Sequence, residues 1–188
     1  MGQPDLFATP PALPEGLRYD DDVMSPAAAA AVIAGFSDLP FQAFDFHGFK
    51  GLRRIVSYGA LYDFSASRLR EAEPLPAFLE PARDAAAAFA GVEPHEFGHV
   101  LVTEYAPGAG IGWHRDRPEF DRVVGLSFAA PAVLRFRLRE GERWRRAALR
   151  VEPGSAYLLD GPARMQWQHS IAPGEALRYS VTFRTLRP

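Results

Sequence analysis

The chain contains no cysteine in 188 residues. Disulfides, thiolate metal sites and cysteine nucleophiles are thereby excluded, and any bound metal must rely on histidine and carboxylate. Lysine is almost as scarce. Lys50 is the single lysine among 21 basic residues, so positive charge is carried by guanidinium groups, which fork onto carboxylates and phosphates. No stretch approaches the roughly 18 consecutive apolar residues of a membrane helix, and the N-terminal "MGQPDLFATPPALPEG" lacks a basic segment followed by an apolar run. Neither a signal peptide nor a membrane span is expected, and a cytoplasmic location follows by default. The net charge of −2 argues against a surface coated in positive charge. Histidine occurs only at 47, 95, 99, 114 and 169.

What is present suffices for a globular domain. With 47% hydrophobic and 12% aromatic residues the chain can bury a real core, most simply as one domain over 18–188 and as a monomer. Residues 1–17, rich in proline and small side chains, read as a loose lead-in. Ser25-Pro26 before "AAAAAVIAGF" supplies a cap, a first-turn proline and a glycine stop, predicting a helix over 26–35. A second helix is expected over roughly 76–90, ending at Gly91. "LRRIVSYGALYDF" (52–64) suggests strand, turn and exposed rings. From His99 onward short strands alternate with turns: 99–105, 112–116, 123–129, 132–139, 143–151, 155–160, 164–170 and 177–186. The fold class expected is mainly β, a jelly roll or barrel-like sandwich with two helices supporting one sheet.

One strand poses a functional question. In "RYSVTFR" (178–184), Arg178, Ser180, Thr182 and Arg184 share one face and Tyr179, Val181 and Phe183 the other. If the arginine face meets water, the strand is ordinary; if it lines a cavity, two fixed cations there require an anion. Upstream, "GWHRDRPEF" places His114 and Asp116 two residues apart, on the same side of a strand. His169, in "WQHSIAP", is the candidate third ligand from a distant strand. Two histidines and one carboxylate form the facial triad that leaves coordination positions open on non-haem Fe(II). Arg178 follows His169 by nine residues, about one turn and one strand, and a guanidinium fork is the natural clamp for a carboxylate. His47, His95 and His99 read as surface or core histidines.

Together these features carry a family likeness. From Leu101 to Arg187 the chain resembles the AlkB-like iron(II) and 2-oxoglutarate-dependent dioxygenases, in "TEYAPGAGIGWHRD", "GLSFAAPAVLRFRL", "QHSI" and "RYSVTFR". The resemblance implies a double-stranded β-helix with Fe(II) on His114, Asp116 and His169. It further implies that Arg178 pairs with the distal carboxylate of 2-oxoglutarate and Arg184 with its chelating end, while Tyr105 donates its hydroxyl to the distal carboxylate. Thr103 and Ser180 stand where asparagine is common in the family, and each keeps a hydroxyl that can hydrogen-bond. Two reactants are then consumed, O2 and 2-oxoglutarate, and hydroxylation of an N-methyl group releases formaldehyde.

Alkylated DNA or RNA is the substrate this likeness implies, with no membrane partner. Residues 44–72 fall where the family carries its nucleotide-recognition lid. An enzyme acting on a base must take single strands or flip the base between flat side chains. Tyr58, Tyr62 and Trp113 are candidates to stack on it, although rings at strand spacing also fill cores. Arg53 and Arg54 are candidate phosphate contacts. Pro118 stands where repair members carry an acidic residue that reads the base, leaving neighbouring Glu119 as the substitute. Seven arginines between Arg135 and Arg150 form a further phosphate candidate, because Arg135, Arg137 and Arg139 alternate with Phe136 and Leu138. Two other readings stay open: the same chemistry on a protein or small molecule, and a non-catalytic β-sandwich binding module.

Overall fold

The computed structural model describes residues 12–46, 49–63, 68–71 and 73–187. Two antiparallel sheets face each other. The larger contains β1 (Leu17–Asp20), β2 (Gln42–Phe46), β3 (Phe49–Asp63), β5 (Phe97–Tyr105), β7 (Phe120–Phe128), β10 (Ala156–Leu159) and β12 (Arg178–Leu186), with β4 (Arg68–Glu71) paired to β3. Its strand order is β1-β10-β7-β12-β5-β3-β2. The smaller sheet has the order β6-β11-β8-β9, formed by β6 (Ile111–His114), β8 (Ala132–Glu140), β9 (Arg143–Val151) and β11 (Gln168–Ile171). From β5 to β12 the strands alternate between the sheets, save for the β8–β9 hairpin within the smaller one, the winding of a jelly roll or double-stranded β-helix.

The larger sheet is covered on both faces. Helices α1 (Pro26–Gly35) and α2 (Glu80–Ala90) cover the back of the larger sheet, where Val32, Phe36, Ala82 and Ala86 pack on Val100, Val102, Leu126, Val181 and Phe183. α1 starts as its sequence demands, with Ser25 Oγ accepting from the Ala28 N–H at 3.3 Å and Pro26 in the first turn. α2 stops at Gly91 in the left-handed conformation, φ 68°. Between the sheets lies a second cluster that includes Val123, Leu134, Phe136, Tyr157, Leu159 and Ile171.

Several expectations need correction. The second helix begins at Glu80, and residues 77–79 form a 3-10 turn before it. The expected strand over 164–170 divides into a short helix, α3 (Gly161–Met165), and β11, because Asp160 accepts from the Gly161 N–H at 2.7 Å and Pro162 favours a first helical turn. β6 ends at His114, so Asp116 lies in the following turn and not on the strand. The lead-in is not loose throughout: Pro14 is buried, Leu17 opens β1, and a side chain at Gly16 would meet the Asp160 carbonyl oxygen at 2.1 Å. Residues 52–63 lie within one long strand, β3, which pairs with β5 up to Gly59, φ 82°, and with β4 beyond it. Among the described residues no helix is long and apolar enough to cross a membrane.

Candidate metal centre and anion pocket

The question posed by "RYSVTFR" has a clear answer. Val181 and Phe183 pack under the helices, whereas Arg178, Ser180, Thr182 and Arg184 line a cavity between the two sheets. Register carries that face across the larger sheet in rows: Arg53, Tyr105 and Arg178; then Ile55, Thr103, Ser180 and Ser127; then Leu101, Thr182, Gly125 and Tyr157. The cavity holds about 90 Å³, room for several waters. A side chain at Gly125 would meet the Tyr157 ring at 2.2 Å, so glycine there lets that ring lie across the sheet.

Across the cavity, the smaller sheet presents His114 and His169 as direct partners of the β6–β11 pair. Their rings stand 4.3 Å apart, and Asp116 reaches them from the turn after β6. One ligand atom from each of the three lies within 4.8 Å of the others, with His169 Nε2 and Asp116 Oδ2 at 3.5 Å. Two of the three side chains are held for this arrangement. His114 Nδ1 is 2.9 Å from the Gly112 carbonyl oxygen, which only accepts, so Nδ1 carries the proton and Nε2 keeps its lone pair. Arg184 donates from Nε at 3.0 Å and Nη2 at 2.9 Å to Asp116 Oδ1, leaving Oδ2 toward the histidines. The third Arg184 nitrogen, Nη1, lies 3.2 Å from His99 Nδ1; a guanidinium only donates, so this histidine accepts.

Electrostatics suit a cation. Burial pushes the Asp116 carboxyl upward, but Arg184 and the two imidazoles outweigh it and hold the group below the usual carboxylate range. Burial lowers His169 to about 4 against the partial pull of Asp116, so the imidazole is neutral at pH 7. Burial, then Arg184, lowers His99 to about 3. Two imidazoles and one carboxylate form a donor set that fits Fe(II).

At the far end of the cavity Arg178 is 4% exposed, donates from Nε to Ser127 Oγ at 3.2 Å and stacks 4.9 Å above the Tyr105 ring. Its Nη1 is buried without a hydrogen-bond partner. A buried guanidinium nitrogen left unpaired is costly, and a carboxylate in the cavity would satisfy it.

A family model described as the 2OG-Fe(II) oxygenase superfamily matches residues 46–184. The chain belongs to that superfamily. Its relatives within it are AlkB-like. The alpha-ketoglutarate-dependent dioxygenase AlkB of Salmonella typhimurium is 34% identical over 128 residues, 60% of this chain and 57% of that protein. The alkylated DNA repair protein ALKBH8 homolog of Arabidopsis thaliana is 28% identical over 148 residues, 63% of this chain and 41% of that protein. This chain thus spans about half the length of these relatives. The structure of OsALKBH1 superposes with a TM-score of 0.68 at 16% identity, covering 93% of this chain and all of that one, which establishes the jelly-roll fold. The superfamily uses Fe(II), 2-oxoglutarate and O2, and the three-ligand group above matches that requirement.

Within this 2OG-Fe(II) oxygenase, the cosubstrate candidates Arg178, Arg184, Tyr105, Thr103 and Ser180 all line the one cavity with the three metal candidates. The substrate candidates scatter. Arg53 lines the cavity. Arg54, next along the strand, points to the opposite face and pairs with Glu104 at 2.7 and 2.8 Å. Tyr58 shares that face and is 3% exposed within the helix-side core, so it is a packing residue and not a base-stacking one. Trp113 neighbours His114 on β6 but faces outward, stacked between Arg135 at 5.3 Å and Arg137 at 4.6 Å. Glu119 is not among the cavity residues and leaves Oε2 buried without a partner. The backbone of Tyr62 pairs with Leu69, and its side chain lies outside the described residues, as does His47. His95 is exposed. Sequence reasoning missed Tyr157, which only strand register brings to the cavity, Ser127, which holds Arg178, and the role of His99 behind Arg184.

Proposed function

We propose that the chain is an Fe(II)- and 2-oxoglutarate-dependent dioxygenase that hydroxylates, and so removes, alkyl groups on nucleobases of DNA or RNA. His114, Asp116 and His169 would hold the metal. The observation that carries the oxygenase assignment is the buried, unpaired Nη1 of Arg178 in the cavity that holds the two histidines and the aspartate. Bound Fe(II) and 2-oxoglutarate supply the oxidising power: O2 is consumed, 2-oxoglutarate yields succinate and CO2, and one oxygen enters a substrate C–H bond.

The chain's own residues bind and orient. Arg178, fixed by Ser127 and stacked on Tyr105, anchors the distal carboxylate, with the hydroxyls of Tyr105, Thr103 and Ser180 beside it. Arg184 holds one oxygen of Asp116 so that the other faces the histidines and would be free to hold the metal with them. Ile111, Ile171 and Leu101 exclude water from the same space. The nucleic-acid substrate is favoured by the names AlkB and alkylated DNA repair protein among the relatives and by the extension β2-β3-β4 spanning the candidate lid. Tyr58, Arg54 and Trp113 face away from the cavity, which favours a second reading, the same chemistry on a protein or small molecule.

Succinate release from alkylated single-stranded oligonucleotides, measured beside a metabolite panel, separates the two. Turnover of the oligonucleotides is the expected result; turnover of a metabolite alone overturns the nucleic-acid assignment. Anaerobic addition of Fe(II) and 2-oxoglutarate tests the chemistry itself. A visible charge-transfer band is expected with the wild type and none with His114→Ala.

A further inference from the structure

The outer face of the smaller sheet carries a feature the cavity chemistry does not use. Alternation on β8 turns Leu134 and Phe136 into the core and leaves Arg135, Arg137 and Arg139 outside. Two tryptophans from other strands interleave with them. Trp113 of β6 lies 5.3 Å from Arg135 and 4.6 Å from Arg137; Trp144 of β9 lies 4.5 Å from Arg137 and 5.4 Å from Arg139. The result is a five-member stack in which guanidinium planes and indole rings alternate.

Each arginine is also tethered at one nitrogen. Arg135 Nε donates to Ser170 Oγ at 3.1 Å, Arg137 Nε to Gln168 Oε1 at 2.7 Å and Arg139 Nε to the Gly141 carbonyl at 2.6 Å. Nε is therefore engaged with the sheet, and no carboxylate among the described residues pairs with any of the three. Arg146 on β9, the register partner of Arg137 and so on the same face, is exposed and also lacks a carboxylate partner there, whereas Arg150 has Glu152. Four guanidinium groups without a carboxylate partner on one face of a chain with net charge −2 form a concentrated field of one sign. Stacking fixes three of them in advance, so a ligand need not order every long side chain on arrival.

We propose that this outer face docks the phosphate backbone of single-stranded nucleic acid, outside the cavity that would receive the base. The proposal rests on the nucleic-acid reading for the identity of the polyanion. Arg135 to Arg139 spans about 13 Å of strand, long enough to meet more than one phosphate. Trp144, 37% exposed, adds a ring edge on which an unstacked base can rest.

The test is fluorescence anisotropy with an unmodified 20-nucleotide single-stranded DNA, titrated at several salt concentrations. Replacing Arg135, Arg137 and Arg139 together by Gln is expected to weaken binding at least tenfold at low salt. It should also flatten the slope of log K against log salt by about 2, the share of three guanidinium groups that each neutralise one phosphate. Because those side chains also brace the sheet, R146Q serves as the second variant: folding should be untouched and the slope should flatten by about 0.7. Slopes unchanged in both variants would overturn the proposal, as would equal competition by polyglutamate at matched charge. Arginine-dependent binding without turnover of any alkylated strand would sink the substrate reading and leave this surface standing. Turnover with slopes that ignore both variants would do the reverse.

Discussion

A guanidinium buried with one nitrogen unsatisfied is stable only if something arrives to meet it, and Arg178 is in that position. Replacing Arg178 by Gln is expected to raise the KM for 2-oxoglutarate about 30-fold, the equivalent of about 2 kcal/mol, while metal binding persists. Steady-state succinate formation read beside a metal titration checks both halves. His99 and His169 make a second prediction. Burial lowers them to about 3 and about 4, so in metal-free protein the unfolded chain takes up their protons first as pH falls below about 6.5. Their neutral forms contribute full stability above that pH, and each contribution shrinks by about 1.5 kcal/mol between pH 6.5 and 5. Urea unfolding in EDTA at the two pH values should find that loss in the wild type. In His99→Asn, which keeps an acceptor for Arg184 but does not titrate, the loss should be roughly halved.

At the scale of elements, Gly125 of β7 lies directly against the Tyr157 ring. Gly125→Ala drives a methyl into the Tyr157 ring and should cost about 1–3 kcal/mol. A thermal midpoint lower by about 2–4 °C per kcal/mol, together with a raised KM for 2-oxoglutarate as the ring is pushed aside, is the expected outcome. Elements with local signals were legible in the sequence. α1 announces itself through Ser25 and Pro26, α2 through Gly91, and the strands after His99 through alternation between turns. The metal candidates were legible as well, because their residue types and order are fixed in the chain. The facing of strands was not. Alternation says that Tyr58 and Arg54 share a side of β3, but only the register with β5 says which side meets the cavity. The Asp160-Gly161-Pro162 start of α3 was a readable cap that the neighbouring apolar pattern masked.

For the whole molecule, the site joins two sheets. The histidines belong to the smaller one and Arg178 to the larger, so whatever fills the cavity contacts both. Fe(II) with 2-oxoglutarate, each at about 100 times its dissociation constant and under anaerobic conditions, should stabilise the fold by at least about 2.7 kcal/mol. That corresponds to a rise of roughly 5–10 °C in thermal midpoint. Calorimetry should find the rise in the wild type and little of it in His114→Ala.

The pairing of His114 with His169 puts both imidazoles on neighbouring strands at one edge of the smaller sheet, bound to the larger through Asp116 and Arg184. An ion held there would act as a rivet. A cell short of iron would therefore hold fewer copies of the protein as well as slower ones, since the unriveted form opens more often to proteases.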